Sequence, residues 1–278
     1  MTFRDVAASL NPAALYIADD LDGGEIPDSS GNSRNPMVLT GATVDTTDKP
    51  AAFSQSLVFD GVDDYMETAY EAWLDALHSG GVAHEAYVLV VCRWGHDGND
   101  TQLDSALLVG RNDRWWGIRA RPQDTPQTTD AYTRNDTDFR ASLHNNILGY
   151  VDGWVAMAAR YFEGGVGSEG ASRQRIDIDG AQVEDADSGG SSIVPGGPAA
   201  GLIVGANRTN DLSTLRRWWR GRVAAVLLLD YEPTSQQRLD LAASIHTEPS
   251  DFDPANLAAT VDGDTVSLSW DASPLVTA

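Results

Sequence analysis

SLVFDGVDDYMET at 56–68, QRIDIDGAQVED at 174–185, GLIVGAN at 201–207 and WRGRVAAVLLLDYEPTSQQRLDLAAS at 219–244 decide the fold, because each carries an apolar strand pattern into a turn or a helix. In the first, 57–59 and 65–68 read as two strands around a tight bend. Working outward, continuous apolar runs at 86–94, 105–109, 116–120 and 154–162 suit strands buried inside a two-sheet sandwich. Polar, Gly- and Asp-rich connections separate them at 96–104, 123–138 and 164–172, and a Gly/Ser/Pro tract covers 187–198. Residues 13–17 read as a further strand, 28–33 as a turn built on Asp, Ser and Asn, and 72–77 as a short helical crossing. A helix over 3–10 is stopped by Asn11-Pro12, and one over 233–245 opens on Pro and Thr. Many strands without alternating helices predict an all-β sandwich.

In their order and spacing the four stretches resemble the laminin-G-like, concanavalin A-like jelly-roll family, over roughly residues 13–246. Phe59 to Tyr65 matches that family's FDGxxDYV-type segment, and Asp179-Gly180 matches the turn after its DG strand. Gly205 matches the glycine of a central strand, and residues 221–231 match the last strand before the terminal helix. The resemblance implies a jelly roll of two antiparallel sheets with a short C-terminal helix. After a linker at 247–255, residues 256–278 place Leu257, Val261, Val266, Leu268 and Trp270 either side of an Asp262-Gly263 turn, a hairpin pattern. This resembles the first two strands of a fibronectin type III domain, and it is far shorter than the about 100 residues such a sandwich needs. The expected organisation is therefore a jelly-roll domain at 1–246, the linker, and an incomplete fibronectin-like module, either one cut from a longer, multidomain chain or a hairpin that packs on a neighbour.

Of 278 residues, 41 are acidic and 19 basic, a net charge of −22 that repels nucleic-acid phosphate and argues against a nucleic-acid partner. Asp outnumbers Glu 32 to 9, and Arg outnumbers the single lysine, Lys49, 18 to 1. Both a GC-rich genome and adaptation to high salt produce that bias. One cysteine, Cys92 in an apolar run, excludes an intrachain disulfide and reads as a small buried hydrophobe. The N-terminus lacks a basic stretch followed by an apolar core of signal-peptide length, and no segment reaches the ~20 apolar residues of a membrane-spanning helix.

Two constellations are candidates for chemistry. Asp60, Asp63 and Asp64 put hard oxygen ligands close together, which suits calcium, the one candidate cofactor; the alternative is a set of turn hydrogen bonds. Arg114, Trp115, Trp116 and Arg119, and a second cluster at 216–221, pair tryptophans with arginines. Adjacent residues of a strand face opposite ways, so one tryptophan of each pair enters the core and the other can stack on a sugar ring beside an arginine. Core packing with a cation–π patch is the alternative. For Trp115-Trp116 the expected face is completed by the connections at 96–104 and 123–138. Glycan-cleaving relatives of the fold carry an ExDxE or ExDxxE strand, and none is present; HExxH and GxSxG are also absent, so an enzyme is not expected. An extracellular-recognition fold without a visible export signal or disulfides suits a tailed-virus minor tail, fibre or capsid-surface protein, made in the host cytoplasm. Its expected partners are other virion proteins, a second copy of itself and a host-surface glycan. The alternative is an extracellular carbohydrate-binding or adhesion module, which the Asn-x-Thr sequons at Asn99, Asn135 and Asn207 favour.

Overall fold

Two of the apolar runs, 86–94 and 154–162, become middle strands of a sheet that is buried on both faces, and the runs at 105–109 and 116–120 become neighbouring strands of a second sheet. The computed structural model describes residues 1–77, 85–95, 106–110, 116–121, 128–134, 139–145, 153–162, 173–187, 200–208, 213–216, 218–246, 257–262 and 265–270. Within them the chain forms a jelly-roll β-sandwich of two eight-stranded antiparallel sheets. The first sheet comprises β1 (Ala14–Ile17), β4 (Thr43–Asp45), β5 (Ser56–Asp60), β7 (Glu85–Trp94), β12 (Trp154–Phe162), β13 (Arg173–Ile178), β14 (Ala181–Asp187) and β18 (Arg220–Leu229). Its order is β14-β13-β12-β7-β18-β5-β4, with β1 also on β18. The second sheet comprises β2 (Glu25–Ile26), β3 (Met37–Thr40), β6 (Tyr65–Thr68), β8 (Ala106–Gly110), β9 (Trp116–Arg121), β10 (Thr128–Arg134), β11 (Phe139–Asn145) and β15 (Ile203–Val204). Its order is β11-β10-β9-β8-β15-β6-β3-β2. Two hairpins complete the strands, β16 (Asn207–Arg208) with β17 (Leu215–Arg216), and β19 (Leu257–Asp262) with β20 (Thr265–Trp270). The last is the predicted hairpin, with Leu257 opposite Trp270.

The period-2 alternation of β7 explains its continuous apolarity. Val88, Val90, Cys92 and Trp94 enter the core between the sheets, while Tyr87, Leu89 and Val91 line the opposite face. That outer face is covered by two helices, α1 (Phe3–Ser9) and α3 (Ser235–Ile245), through Phe3, Val6, Leu241 and Ile245, with Phe53 beside them. A third, one-turn helix, α2 (Trp73–Ala76), makes the predicted crossing after β6. In β18 a bulge between Val223 and Ala225 shifts the parity. Val226 and Leu228 therefore join Val223 in the inner core, and Ala225, Leu227 and Leu229 join the outer one. Capping boxes at Thr2/Asp5 and Thr234/Gln237 satisfy the first turns of both covering helices. No helix among the described residues is long and apolar enough to cross a membrane.

The stretch 123–138, expected as a connection, instead contains β10, which pairs with β9 and β11. Thr128-Thr-Asp-Ala-Tyr-Thr-Arg134 is polar, yet its Thr and Tyr residues favour pleated backbone, and Thr129 and Ala131 alternate inward to full burial. The other two long connections, 96–104 and 187–198, fall outside the described residues except for Asp187, and the linker at 247–255 and residues 271–278 lie wholly outside them.

One polar group stands in the outer core. Arg160 on β12 is 2% exposed and lies 2.9 Å from Asp177 on β13, which is fully buried. Its other partners are Glu232 and Gln182. From α3, Arg238 reaches the second oxygen of Asp177 at 3.3 Å and Glu232 at 3.6 Å, and donates to the Pro233 carbonyl at 2.7 Å. Two guanidiniums and two carboxylates thus neutralise one another where the helix meets the sheet. Removing one partner leaves an uncompensated buried charge, which costs about 3–5 kcal/mol. Arg160→Ala is therefore expected to lower unfolding free energy by about that amount in urea titrations. A loss below about 1 kcal/mol would show that the network is incidental.

Candidate functional site

The FDGxxDY segment is where the chain passes from one sheet to the other. β5 pairs with β18 in the first sheet, and β6 pairs with β15 and β3 in the second, so residues 61–64 form the bend between layers. Phe59 enters the core beside Trp219, ring centroids 5.7 Å apart, and Trp94 meets Trp219 edge-on at 6.0 Å. Gly205, just after β15, accepts from the Trp219 amide at 2.7 Å and has φ +85°. A Cβ there would lie 2.5 Å from the Phe59 ring. Phe59 and Gly205, two of the residues that carry the resemblance, therefore meet in the core, and the role they share is packing.

The three aspartates of that bend come together as expected, with one carboxylate oxygen of each within 4.8 Å of the others. Asp60 and Asp63 are exposed and Asp64 is buried. Asp60 Oδ1 accepts from the Val62 amide at 2.7 Å, and Asp64 Oδ2 accepts from the Asp60 amide at 2.8 Å. Asp64 also packs on the β3–β4 turn: a Cβ on Gly41 would sit 2.1 Å from its Oδ1. The cluster could hold a hard cation such as calcium, and the hydrogen bonds give Asp60 and Asp64 a structural role without one. Burial raises the Asp64 carboxyl above its ordinary value, and the Asp60 and Asp63 charges push the same way.

The aromatic–arginine candidates fare differently. Arg114 and Trp115 lie outside the described residues, as does the side chain of Trp116, whose backbone pairs with Thr133. Arg119, expected on an open face, is 7% exposed, so its guanidinium is a buried group. In the second cluster Trp219 is wholly buried, and Trp218 is half-buried against Tyr65 with ring centroids 6.1 Å apart, the core-and-surface split that alternation implies. The sequon residue Asn207 is fully buried in β16, where no glycan could be attached to the folded chain; Asn99 and Asn135 lie outside the described residues. Cys92 is buried in the inner core, and burial pushes its thiol far above the ordinary range, so it is not a reactive nucleophile.

Sequence reasoning missed a third aromatic–arginine group. The Arg34 guanidinium lies 4.5 Å from the Trp73 ring centroid, joining the loop before β3 to α2. Nearby, Tyr70 is 41% exposed and donates to Asp75 at 2.6 Å, and Glu71 accepts from the Asn35 amide at 2.9 Å. Only the β3–β6 ladder brings these residues together, so no local spacing could announce them. A cavity of about 150 Å³ opens elsewhere, between α1 and the loop before β5, but its two rings, Phe3 and Phe53, are 1% and 3% exposed and present no stacking surface.

No protein-family model matches the chain, and no curated protein does. Its fold is that of solved binding domains. It is similar to a botulinum neurotoxin type C structure described as dependent on two ganglioside molecules for cell entry, at 12% identity and TM-score 0.58. The match covers 95% of this chain and 63% of that one, so the chain spans less than two thirds of the neurotoxin chain's length. The binding domain of a paraclostridial mosquitocidal protein matches at 10% identity and TM-score 0.57, over 90% of this chain and 60% of that one. Domain 4 of an extracellular arabinanase from Geobacillus stearothermophilus, solved with arabinotriose, matches at 15% identity and TM-score 0.52. There the match covers 83% of this chain and 98% of that one. At such identities the likeness establishes the fold.

Two substitutions test the structural roles of the bend. Gly205→Ala should destabilise the domain by on the order of 1–3 kcal/mol, because it forces the Phe59 ring aside at a positive φ; an unchanged melting temperature would contradict the packing role. Asp64→Asn keeps an acceptor for the Asp60 amide and removes the titration. Because the folded pKa of Asp64 is raised, its contribution is greatest below the ordinary value of 3.8 and declines as pH rises through the folded value. The melting temperature of the Asn variant should therefore gain on wild type as pH rises above 3.8. A difference that stays constant with pH would show that Asp64 is not strained by its charge.

Proposed function

We propose that this chain is a glycan-binding adhesion module rather than a catalyst. The observation that supports it most is the near-complete coverage of an independent module solved with a bound oligosaccharide, 98% of domain 4 of the arabinanase. A botulinum neurotoxin type D ligand-binding domain solved with N-acetylneuraminic acid, TM-score 0.57 and 9% identity, supports the same class of ligand. Binding by such a module needs exposed rings and hydrogen-bonding groups, and the exposed ring of Tyr70 and the half-buried guanidinium of Arg34 on Trp73 supply both.

The setting we infer is the surface of a tailed-virus particle, as a tail, fibre or capsid-surface component assembled from copies of this chain with other virion proteins. A large core that needs no disulfide, its one cysteine buried as a free thiol, suits a protein folded in a reducing cytoplasm and exposed by lysis. An extracellular carbohydrate-binding module of a cellular protein is the second reading, favoured by the likeness to one domain of an extracellular arabinanase. The fibronectin-like reading of the last hairpin fits either setting.

The purified protein, displayed as multivalent particles, is expected to bind a subset of an oligosaccharide array, with single-site dissociation constants in the micromolar to millimolar range and no release of sugar products. Failure to bind any array sugar or any host envelope preparation would overturn the glycan reading. Antibody labelling of purified particles in the electron microscope separates the settings: labelled virions support the first, and label confined to culture supernatant supports the second.

A further inference from the structure

The β3–β6 ladder places Met37 opposite Thr68, so the residues just before β3 and just after β6 emerge side by side at one end of the second sheet. Arg34 and Asn35 come from one strand end, Tyr70 and Glu71 from the other. The Asn35 amide donates to Glu71 Oε2, extending the ladder by a side chain. Arg34 is fixed at three points: its amide donates to Asp28 Oδ2 at 3.1 Å, its Nε to the Ala13 carbonyl at 3.1 Å, and its guanidinium stacks on Trp73. Among the described residues no acceptor engages its Nη1 or Nη2. Asp28 is itself rigid, since its Oδ1 accepts from the Leu15 and Ser30 amides at 3.0 Å. A half-buried arginine held this way presents a flat fork of donors at little further entropic cost.

We infer that Tyr70, Arg34 and Glu71 form a subsite for one residue of a neutral oligosaccharide, an assignment that rests on the glycan-binding reading. A sugar ring has a C–H face and a rim of hydroxyls. The exposed ring of Tyr70 receives the C–H face, the Nη atoms of Arg34 donate to hydroxyl oxygens, and Glu71 Oε1 accepts from a hydroxyl. Trp73 is partly buried against the core and carries Arg34 over its ring, so its part is to hold the guanidinium flat. The charge decides the class of sugar. Asp28 and Glu71 accept from the Arg34 and Asn35 amides, Asp75 accepts from the Tyr70 hydroxyl, and on a chain of net charge −22 an anionic sialic or uronic acid meets net repulsion there.

The test compares the intact protein with Tyr70→Ala, Arg34→Gln and Glu71→Gln, and with Leu239→Ser on the exposed side of α3 as a distant control. The probes are arabinotriose, lactose, maltotriose and cellotriose on one side and 3′-sialyllactose on the other, by calorimetry. Wild type is expected to favour a neutral probe. Each of the three subsite variants should weaken that probe about fivefold or more, while Leu239→Ser leaves it unchanged. Circular-dichroism melts check folding; should Arg34→Gln melt early, Glu71→Gln and Tyr70→Ala carry the comparison. Wild-type affinity in all three variants, or tighter binding of 3′-sialyllactose than of every neutral probe, overturns the subsite while leaving glycan binding in place. No binding of any probe by wild type, together with an empty array, overturns both.

Discussion

A sheet that is apolar on both faces cannot meet water on either, and β12, β7 and β18 impose that constraint on the whole molecule. One face closes against the second sheet, the other against α1 and α3, which are capped and pinned so that they stay there. Tyr231 donates to the Leu10 carbonyl at 2.8 Å, tying the segment before α3 to the end of α1. The Arg160–Asp177–Glu232–Arg238 network lies at the same seam, where a mispositioned helix would strand a buried charge. Covering both faces leaves the first sheet little surface for a ligand. On the proposed reading, recognition falls to the second sheet, its ends and the connections, the usual division between scaffold and binding surface in a sandwich.

The crossing from β5 to β6 shows how a recurrent sequence pattern can be about packing rather than chemistry. Phe59, Gly205 and Trp219 lie far apart in sequence and touch in the core, each restricting what the others can be. Asp60 and Asp64 bind the backbone of the bend, and Asp64 is held in place although burial opposes its charge. An acidic surface makes such turns frequent in this chain without making each one a metal site.

Much of the fold is legible in the residues because burial on two faces produces uninterrupted apolar runs, and proline, capping and glycine signals bound them. β10 is less legible: Thr128–Arg134 is polar, and its pairing with two neighbours outweighs its composition. The candidate site is harder still. Asp60, Asp63 and Asp64 are close in sequence and were found, whereas Arg34 and Trp73 are joined only by the register of β3 on β6. Arg119 shows the converse error, since alternation in a strand says which way a side chain points and not what else covers it. Likewise Arg160 and Arg238 give no local sign of burial, because their carboxylate partners come from β13 and from the turn before α3.

We propose that a doubly covered first sheet leaves sugar recognition to the end of the second sheet. A crystal structure of the intact protein grown with a neutral oligosaccharide that it binds would test that claim most directly. Sugar density is expected against Tyr70, within hydrogen-bonding distance of Arg34 and Glu71, with α1 and α3 unmoved. Density confined to the outer face of the first sheet, or to the aspartate bend at 60–64, would contradict it.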